Sequence, residues 1–206
     1  MKDILALDVG TTAFKAGVFG PSLERKASAS RAYDINLYEG GKADIEPGKW
    51  WAALRECCGE LKDSLAGVGV IAMSVTTPGL TAMAEDGTAL SPAILFLDGR
   101  SHRQARRIRE LVGEELFLRE ACNLPVSGGS SLCSVLWLRD ERPDVWKRAV
   151  MFGHCNTYMV RRLTGAWAMD PSTVSITGMY NTRKDDLTYN AAVLDAAGIP
   201  AGKLPA

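Results

Sequence analysis

Five consecutive residues near the start of the chain, Asp8-Val9-Gly10-Thr11-Thr12, bring together a carboxylate, a glycine and two hydroxyls. Gly10 lets the backbone approach an anion closely. Thr11 and Thr12 can donate from hydroxyl and amide groups to phosphate oxygens. Asp8 can hold a hydrated Mg²⁺, an ion that keeps several waters and takes only one or two carboxylates. The segment is not a P-loop, because G-x-x-x-x-G-K-[ST] is absent and no helix follows. Taken as a bare pentapeptide it also fits ordinary turn chemistry. Lys15, on the same hairpin, is either a phosphate contact or a surface lysine.

Further along, Thr76-Thr77-Pro78-Gly79 forms a loop just after an apolar strand, and Asp98 precedes Gly99-Arg100 at a strand end, where sheet proteins commonly bind ligands. Thr77 and Asp98 each read as a ligand contact or as a local structural residue. Asp170 is expected to fix its own loop through backbone hydrogen bonds. His102 and His154 fall on different elements and read as structural or surface residues rather than as a catalytic base. Five cysteines, Cys57, Cys58, Cys122, Cys133 and Cys155, show no C-x-x-C pair and are expected to be reduced, mostly buried thiols.

The elements that must position these groups follow from periodicity. Asp3 to Asp8, Phe14 to Phe19 and Arg25 to Leu37 read as three strands with tight connections, hence an antiparallel meander. Pro47 opens a helix whose buried face is Trp50, Trp51, Leu54, Cys57, Cys58, Leu61 and Leu65. Val70 to Val75 reads as a buried strand, and Leu80 to Ala84 and Ala93 to Leu97 as two more. From Ser101 onward the chain turns helical: a basic helix His102 to Val112 with an ion-paired face, a short one near Glu114–Cys122, and longer ones at Leu132–Arg139 and His154–Leu163. Gly165 stops the last of these, and a short helix spans Ala191 to Ala197. Trp50, Trp51 and Trp137 read as core. The fold class is α/β with a mixed sheet and flanking helices.

Composition narrows the function classes. The 206 residues carry 24 basic and 24 acidic side chains, 47% hydrophobic and 23% charged residues, so there is no net field to drive binding to nucleic acid or to a membrane surface. No apolar run approaches the roughly 18 residues that a membrane span needs. The start, Met-Lys-Asp, lacks a signal-peptide core, and a cytoplasmic location is expected.

The phosphate-loop pattern resembles that of the sugar kinase, actin and Hsp70 superfamily, where a strand–Asp-x-Gly-Thr-Thr–strand hairpin faces nucleotide phosphates. Four further stretches narrow the resemblance to the FGGY family of carbohydrate kinases. They are Ser91 to Arg100, Leu136 to Pro143, Arg162-Leu163-Thr164-Gly165 with Asp170, Ser172, Ser175 and Thr177, and Ala197 to Pro200 with Lys203-Leu204-Pro205. The resemblance implies a ribonuclease H-like (actin-like ATPase) domain.

It also implies roles. Asp8 would be the Mg²⁺ and phosphate carboxylate, with Gly10, Thr11 and Thr12 around the transferred phosphoryl group of ATP. Thr76, Thr77 and Pro78 occupy the place of a substrate-contacting loop, and Asp98 and Arg100 lie at the pocket rim. That loop reads Gln-Met-His-Gly in xylulokinases and carries an Arg-Glu pair in glycerol kinases; this chain has neither, while Asp98-Gly99-Arg100 is nearer to the xylulokinases. The expected activity is ATP-dependent phosphorylation of a sugar or polyol hydroxyl, a pentulose such as xylulose being favoured. Residues 1–206 would be the N-terminal, sugar- and phosphate-binding domain, incomplete and without the C-terminal ATP-binding domain. The isolated chain is expected to be inactive, because the general-base aspartate of a later Gly-Asp segment is missing. The alternative is a catalytically inactive sugar-binding or regulatory module on the same scaffold. The expected partner is a small-molecule sugar or polyol, with no nucleic acid and no membrane; a homodimer of the full-length protein is left open.

Overall fold

Leu5, Leu7 and Val9 alternate with Ile4, Ala6 and Asp8, the pattern of a strand with one buried face. This strand is central to the first sheet of the computed structural model, which describes residues 2–184 and 186–206. In chain order the strands are β1 (Asp3–Val9), β2 (Ala13–Phe19), β3 (Arg25–Ala32), β4 (Asn36–Tyr38), β5 (Lys42–Ile45), β6 (Val68–Val75), β7 (Gly79–Met83), β8 (Ala93–Leu95) and β9 (Met151–Gly153). The helices are α1 (Gly48–Glu60), α2 (His102–Val112), α3 (Glu114–Leu116, continued by a π turn over Phe117–Ala121), α4 (Ser131–Glu141), α5 (Pro143–Arg148), α6 (Cys155–Thr164), α7 (Pro171–Ser175) and α8 (Ala191–Ala197).

The chain divides into two units. The first comprises the chain up to Ile35 together with Glu46–Thr76. Its sheet has the order β3-β2-β1-β6, with β1, β2 and β3 in the expected antiparallel meander and β6 parallel to β1, so the sheet is mixed. Helix α1 packs on β2 and β3. It buries Trp50, Ala53, Leu54 and Cys57, followed by Leu61, and the sheet contributes Leu5, Leu7, Val9, Phe14 and Val18 to the buried apolar residues of this unit. Trp51, Cys58 and Leu65, expected on that face, are only half-buried.

Strand β6 corrects a sequence expectation. Its apolar run reads as a buried strand, yet it forms the end of this sheet, with Val70 and Ile71 55% and 48% exposed. A continuous apolar run reports a preference for burial; it does not say which neighbour supplies the cover.

The second unit is Asn36–Ile45 with Thr77–Ala206. Its sheet runs β4-β5-β8-β7-β9, antiparallel throughout. The core under it is Leu80, Ile94, Ile108, Phe117, Leu132, Leu136, Phe152, Val193 and Leu194. The third expected strand, drawn through to Leu37, ends at Ala32; Asn36–Tyr38 instead pairs with Lys42–Ile45 across a turn at Gly40-Gly41, both at positive φ. Trp137 is half-buried rather than core, with the Arg100 guanidinium 5.0 Å above its ring. The basic face of α2 is ion-paired, Arg103 to Glu141, Arg107 to Asp140 and Arg109 to Glu114. The cysteines are free, with Cys57, Cys133 and Cys155 buried and Cys122 exposed. Burial pushes the Cys133 thiol up to about 12, so it stays protonated. Among the described residues no helix is long and apolar enough to cross a membrane.

Candidate functional site

In the first unit, strand register brings together residues that the sequence reading expects to contact phosphate. Asp8 at the end of β1 lies opposite Lys15 on β2 and Ser74 on β6. The cross-strand pair closes to 3.2 Å between Lys15 Nζ and Asp8 Oδ2, with side chains 65% and 50% exposed. An ion pair this wet contributes little stability, so its two groups are available to a ligand. Asp8, Lys15, Ala6, Gly17, Ser30 and Ser74 line a cleft of about 710 Å³ on the sheet.

Residues 10–12 that follow are held by backbone and side chain from three directions. The Gly10 amide donates to the Ala13 carbonyl at 2.9 Å. A Cβ on Gly10 would come within 2.9 Å of that same oxygen, so the turn is built for glycine. The Tyr33 hydroxyl donates to the Gly10 carbonyl at 2.6 Å, and the Tyr33 amide to the Thr12 carbonyl at 3.0 Å. The Thr11 and Thr76 hydroxyls meet at 3.1 Å, and the Thr76 amide donates to Val9 at 2.7 Å. Thr12 is exposed. Tyr33 was not legible as a site residue; a tyrosine just after a strand carries no motif.

Among the described residues no group of three or more His, Cys, Asp or Glu side chains could cage a metal. A single half-exposed carboxylate beside a glycine–threonine turn is compatible with Mg²⁺, which is bound through one or two carboxylates, substrate phosphates and retained waters.

The second unit carries the other expected contacts. Thr77 precedes Pro78 across a cis peptide bond. The Thr77 hydroxyl lies 3.0 Å from His154 Nδ1, and His154 Nε2 lies 2.6 Å from the Ser131 hydroxyl. The imidazole is fully buried, and burial lowers its pKa to about 4 against the opposing charge of Asp170.

Asp98 and Arg100 lie together in a buried network. Asp98 accepts from the Ala43 amide at 2.6 Å, the Arg100 amide at 2.8 Å and Arg100 Nε at 2.8 Å. Arg100 Nη2 reaches Asp44 Oδ2 at 2.9 Å, and Asp44 Oδ1 also accepts from Asn36 and Tyr38. The motif therefore ties the β4–β5 hairpin to the residues that follow β8.

Asp170 does what its sequence position predicts. It caps α7, accepting from the Thr173 amide at 2.8 Å and hydroxyl at 2.7 Å, and also binds Asn156 at 2.7 Å. Burial pushes its pKa up, but these bonds outweigh that and leave it below the usual range.

Comparison with known proteins gives the family and the fold. Residues 3–206 match the N-terminal domain of the FGGY family of carbohydrate kinases. A glycerol kinase from Thermus brockianus is 32% identical over 219 residues, which covers 100% of this chain and 43% of that protein. A xylulose kinase from Staphylococcus xylosus is 27% identical over 191 residues, covering 90% of this chain and 39% of the relative. In fold, the crystal structure of xylulose kinase from Rhodospirillum rubrum matches 99% of this chain and 42% of its own, with a TM-score of 0.90 at 24% identity. The chain thus spans about two fifths of the length of the relatives it matches.

Proposed function

Because the chain belongs to the FGGY family of carbohydrate kinases, with the actin-like ATPase fold of its structural relatives, we propose that it forms the N-terminal, phosphate- and sugar-binding part of an ATP-dependent kinase acting on a sugar or polyol hydroxyl. A pentulose such as xylulose is the favoured substrate. The observation that carries this reading is the clamped loop after Asp8: a half-exposed carboxylate at a strand end, beside residues 10–12 held by Tyr33, Ala13 and Thr76.

ATP with its Mg²⁺ supplies the transferable phosphoryl group and neutralises its charge. Asp8 is the residue to hold the metal, directly or through a retained water. Gly10, Thr11 and Thr12 offer amide and hydroxyl donors to phosphate oxygens, and Lys15 offers a charge beside Asp8. Because the loop is fixed before any ligand arrives, little ordering remains to be done when phosphate binds. We assign the sugar contacts to Thr76, Thr77 and Pro78, with Asp98 and Arg100 framing the adjoining hairpin.

The base that accepts the proton of the sugar hydroxyl belongs, in this family, to a later Gly-Asp segment. Phosphoryl transfer by these 206 residues alone is accordingly expected to be slow. Pentulose is preferred over glycerol because the loop at Thr76-Thr77-Pro78 lacks the Arg-Glu pair of glycerol kinases and Asp98-Gly99-Arg100 is nearer to the xylulokinases. ADP release by the full-length protein, measured across xylulose, ribulose, glycerol and gluconate, tests the reading. Turnover highest with a pentulose is expected. Highest turnover with glycerol would reassign the substrate, and none with any sugar would overturn the kinase assignment.

A further inference from the structure

We propose that His154 is a positioning residue for the substrate loop: a buried Ser131–His154–Thr77 relay makes Thr77 a hydrogen-bond donor, aimed at an acceptor oxygen of the polyhydroxylated substrate. The inference rests on the sugar-kinase reading of the Thr76–Pro78 loop.

The direction of the relay follows from donor and acceptor accounting. A neutral imidazole has one N–H and one bare nitrogen, and His154, fully buried with its pKa lowered to about 4, is neutral at physiological pH. Asp170, whose charge it feels, does not draw its proton, being engaged by Asn156 and Thr173. The hydroxyl of Ser131, which opens α4, is 2% exposed at the residue level, and among the described residues His154 Nε2 is its hydrogen-bond partner at 2.6 Å.

If Nε2 carried the proton, it would donate to Ser131 Oγ and leave the serine O–H buried without an acceptor, a loss that folded proteins avoid. With the proton on Nδ1 every buried group is used. Ser131 O–H donates to Nε2, and Nδ1–H donates to Thr77 Oγ1 at 3.0 Å. The Thr77 hydroxyl is then filled as an acceptor from behind and keeps its own proton for another partner. Thr77 is only half-buried, so that partner can come from outside the core. A sugar carbonyl or hydroxyl oxygen accepts such a bond. A chain of bonds of this kind also fixes the orientation of the threonine side chain.

Two measurements on the full-length protein test this. Nitrogen-15 NMR of the imidazole is expected to show a protonated Nδ1 and a bare Nε2; the opposite tautomer overturns the proposal and leaves the kinase reading intact. In steady-state kinetics, Thr77→Val and His154→Gln should each raise the KM for the sugar about tenfold, the cost of one lost hydrogen bond, with kcat much less affected. The double variant should be no worse than Thr77→Val alone, because both break one relay. Thr77→Ser should restore most of the affinity. A Thr77→Val protein with wild-type KM, or fully additive effects in the double variant, overturns the proposal even if His154→Gln fails to fold. Absence of sugar phosphorylation by the wild-type protein would instead remove the reading beneath it, and the proposal with it.

Discussion

The Arg100 guanidinium lies 2.9 Å from the Asp44 carboxylate, with the two side chains only 10% and 7% exposed. The same guanidinium binds Asp98 at 2.8 Å and covers the Trp137 ring. One cation thus joins the β4–β5 hairpin to the residues after β8, and two aspartates depend on it for charge compensation. An Asp-Gly-Arg motif that looks from sequence like a ligand rim is, before any ligand binds, the fastener of this hairpin.

Removing the cation should be costly. Arg100→Met leaves Asp44 and Asp98 buried without their partner and is expected to destabilise the protein by about 3–5 kcal/mol. Arg100→Lys should recover only part of this, since an ammonium lacks the planar fork that reaches both carboxylates. Chemical denaturation measures both; a loss below about 1 kcal/mol for Arg100→Met would mean that solvent already compensates the pair.

A second backbone feature holds the same neighbourhood. Gly128 has φ of +73°, and a Cβ there would come within 2.3 Å of the Phe96 carbonyl and 2.8 Å of the Asp98 carbonyl. Neither obstacle is a flexible side chain. Gly128→Ala is therefore expected to lower the melting temperature by about 2–12 °C, for a cost of about 1–3 kcal/mol. An unchanged melting temperature would show that the 126–130 turn can move away from residues 96–98 at no cost.

The loop clamp makes a third prediction. Tyr33→Phe deletes only the hydroxyl that donates to the Gly10 carbonyl at 2.6 Å. A stability loss of about 0.5–1.5 kcal/mol is expected, together with a higher KM for ATP in the full-length enzyme. If nucleotide binding were unaffected, Tyr33 would be a strand anchor with no bearing on the phosphate loop.

The meander, the α1 register, the bounds of α2 and the glycine stop of α6 were legible because each rests on local pattern: alternation, helical spacing and turn residues. The turn that follows Asp8 was legible for the same reason, its residues being contiguous in sequence. The β4–β5 hairpin was missed because Asn36–Tyr38 runs on from β3 as one apolar-polar stretch, and only partners distant in sequence, Ile94 and Ala93, show that it belongs to another sheet. Strand β9 and helices α5 and α7 are too short for periodicity to register. The pairings of Tyr33, Asp44 and Ser131 were not legible because their partners lie 23 to 56 positions away, whereas His154 is a buried structural residue, one of the two readings its sequence position offered. Nothing local marks a buried histidine that holds a loop from one that fills space.

His154 also sets a pH dependence. Its folded-state pKa of about 4 lies below the ordinary value of 6.5, so the unfolded chain binds a proton that the folded one refuses. Stability from this group is fully present above pH 6.5 and is lost as pH falls toward 4, amounting to about 3 kcal/mol at the acid end. Thermal unfolding across that range should show a steeper decline for wild type than for His154→Gln. Parallel curves would mean that the imidazole reaches solvent and protonates in the folded state.

Activity of an Asp8→Ala variant of the full-length protein is the most direct test of the account, set beside wild type with saturating pentulose, ATP and Mg²⁺. Asp8 is half-exposed and its pair with Lys15 adds little to stability, so folding should be unchanged. A fall in kcat of two orders of magnitude or more, about 3 kcal/mol of transition-state stabilisation, with an unaltered melting temperature, is the predicted result. Wild-type turnover in the variant would contradict the assignment of this loop as the phosphoryl-transfer site.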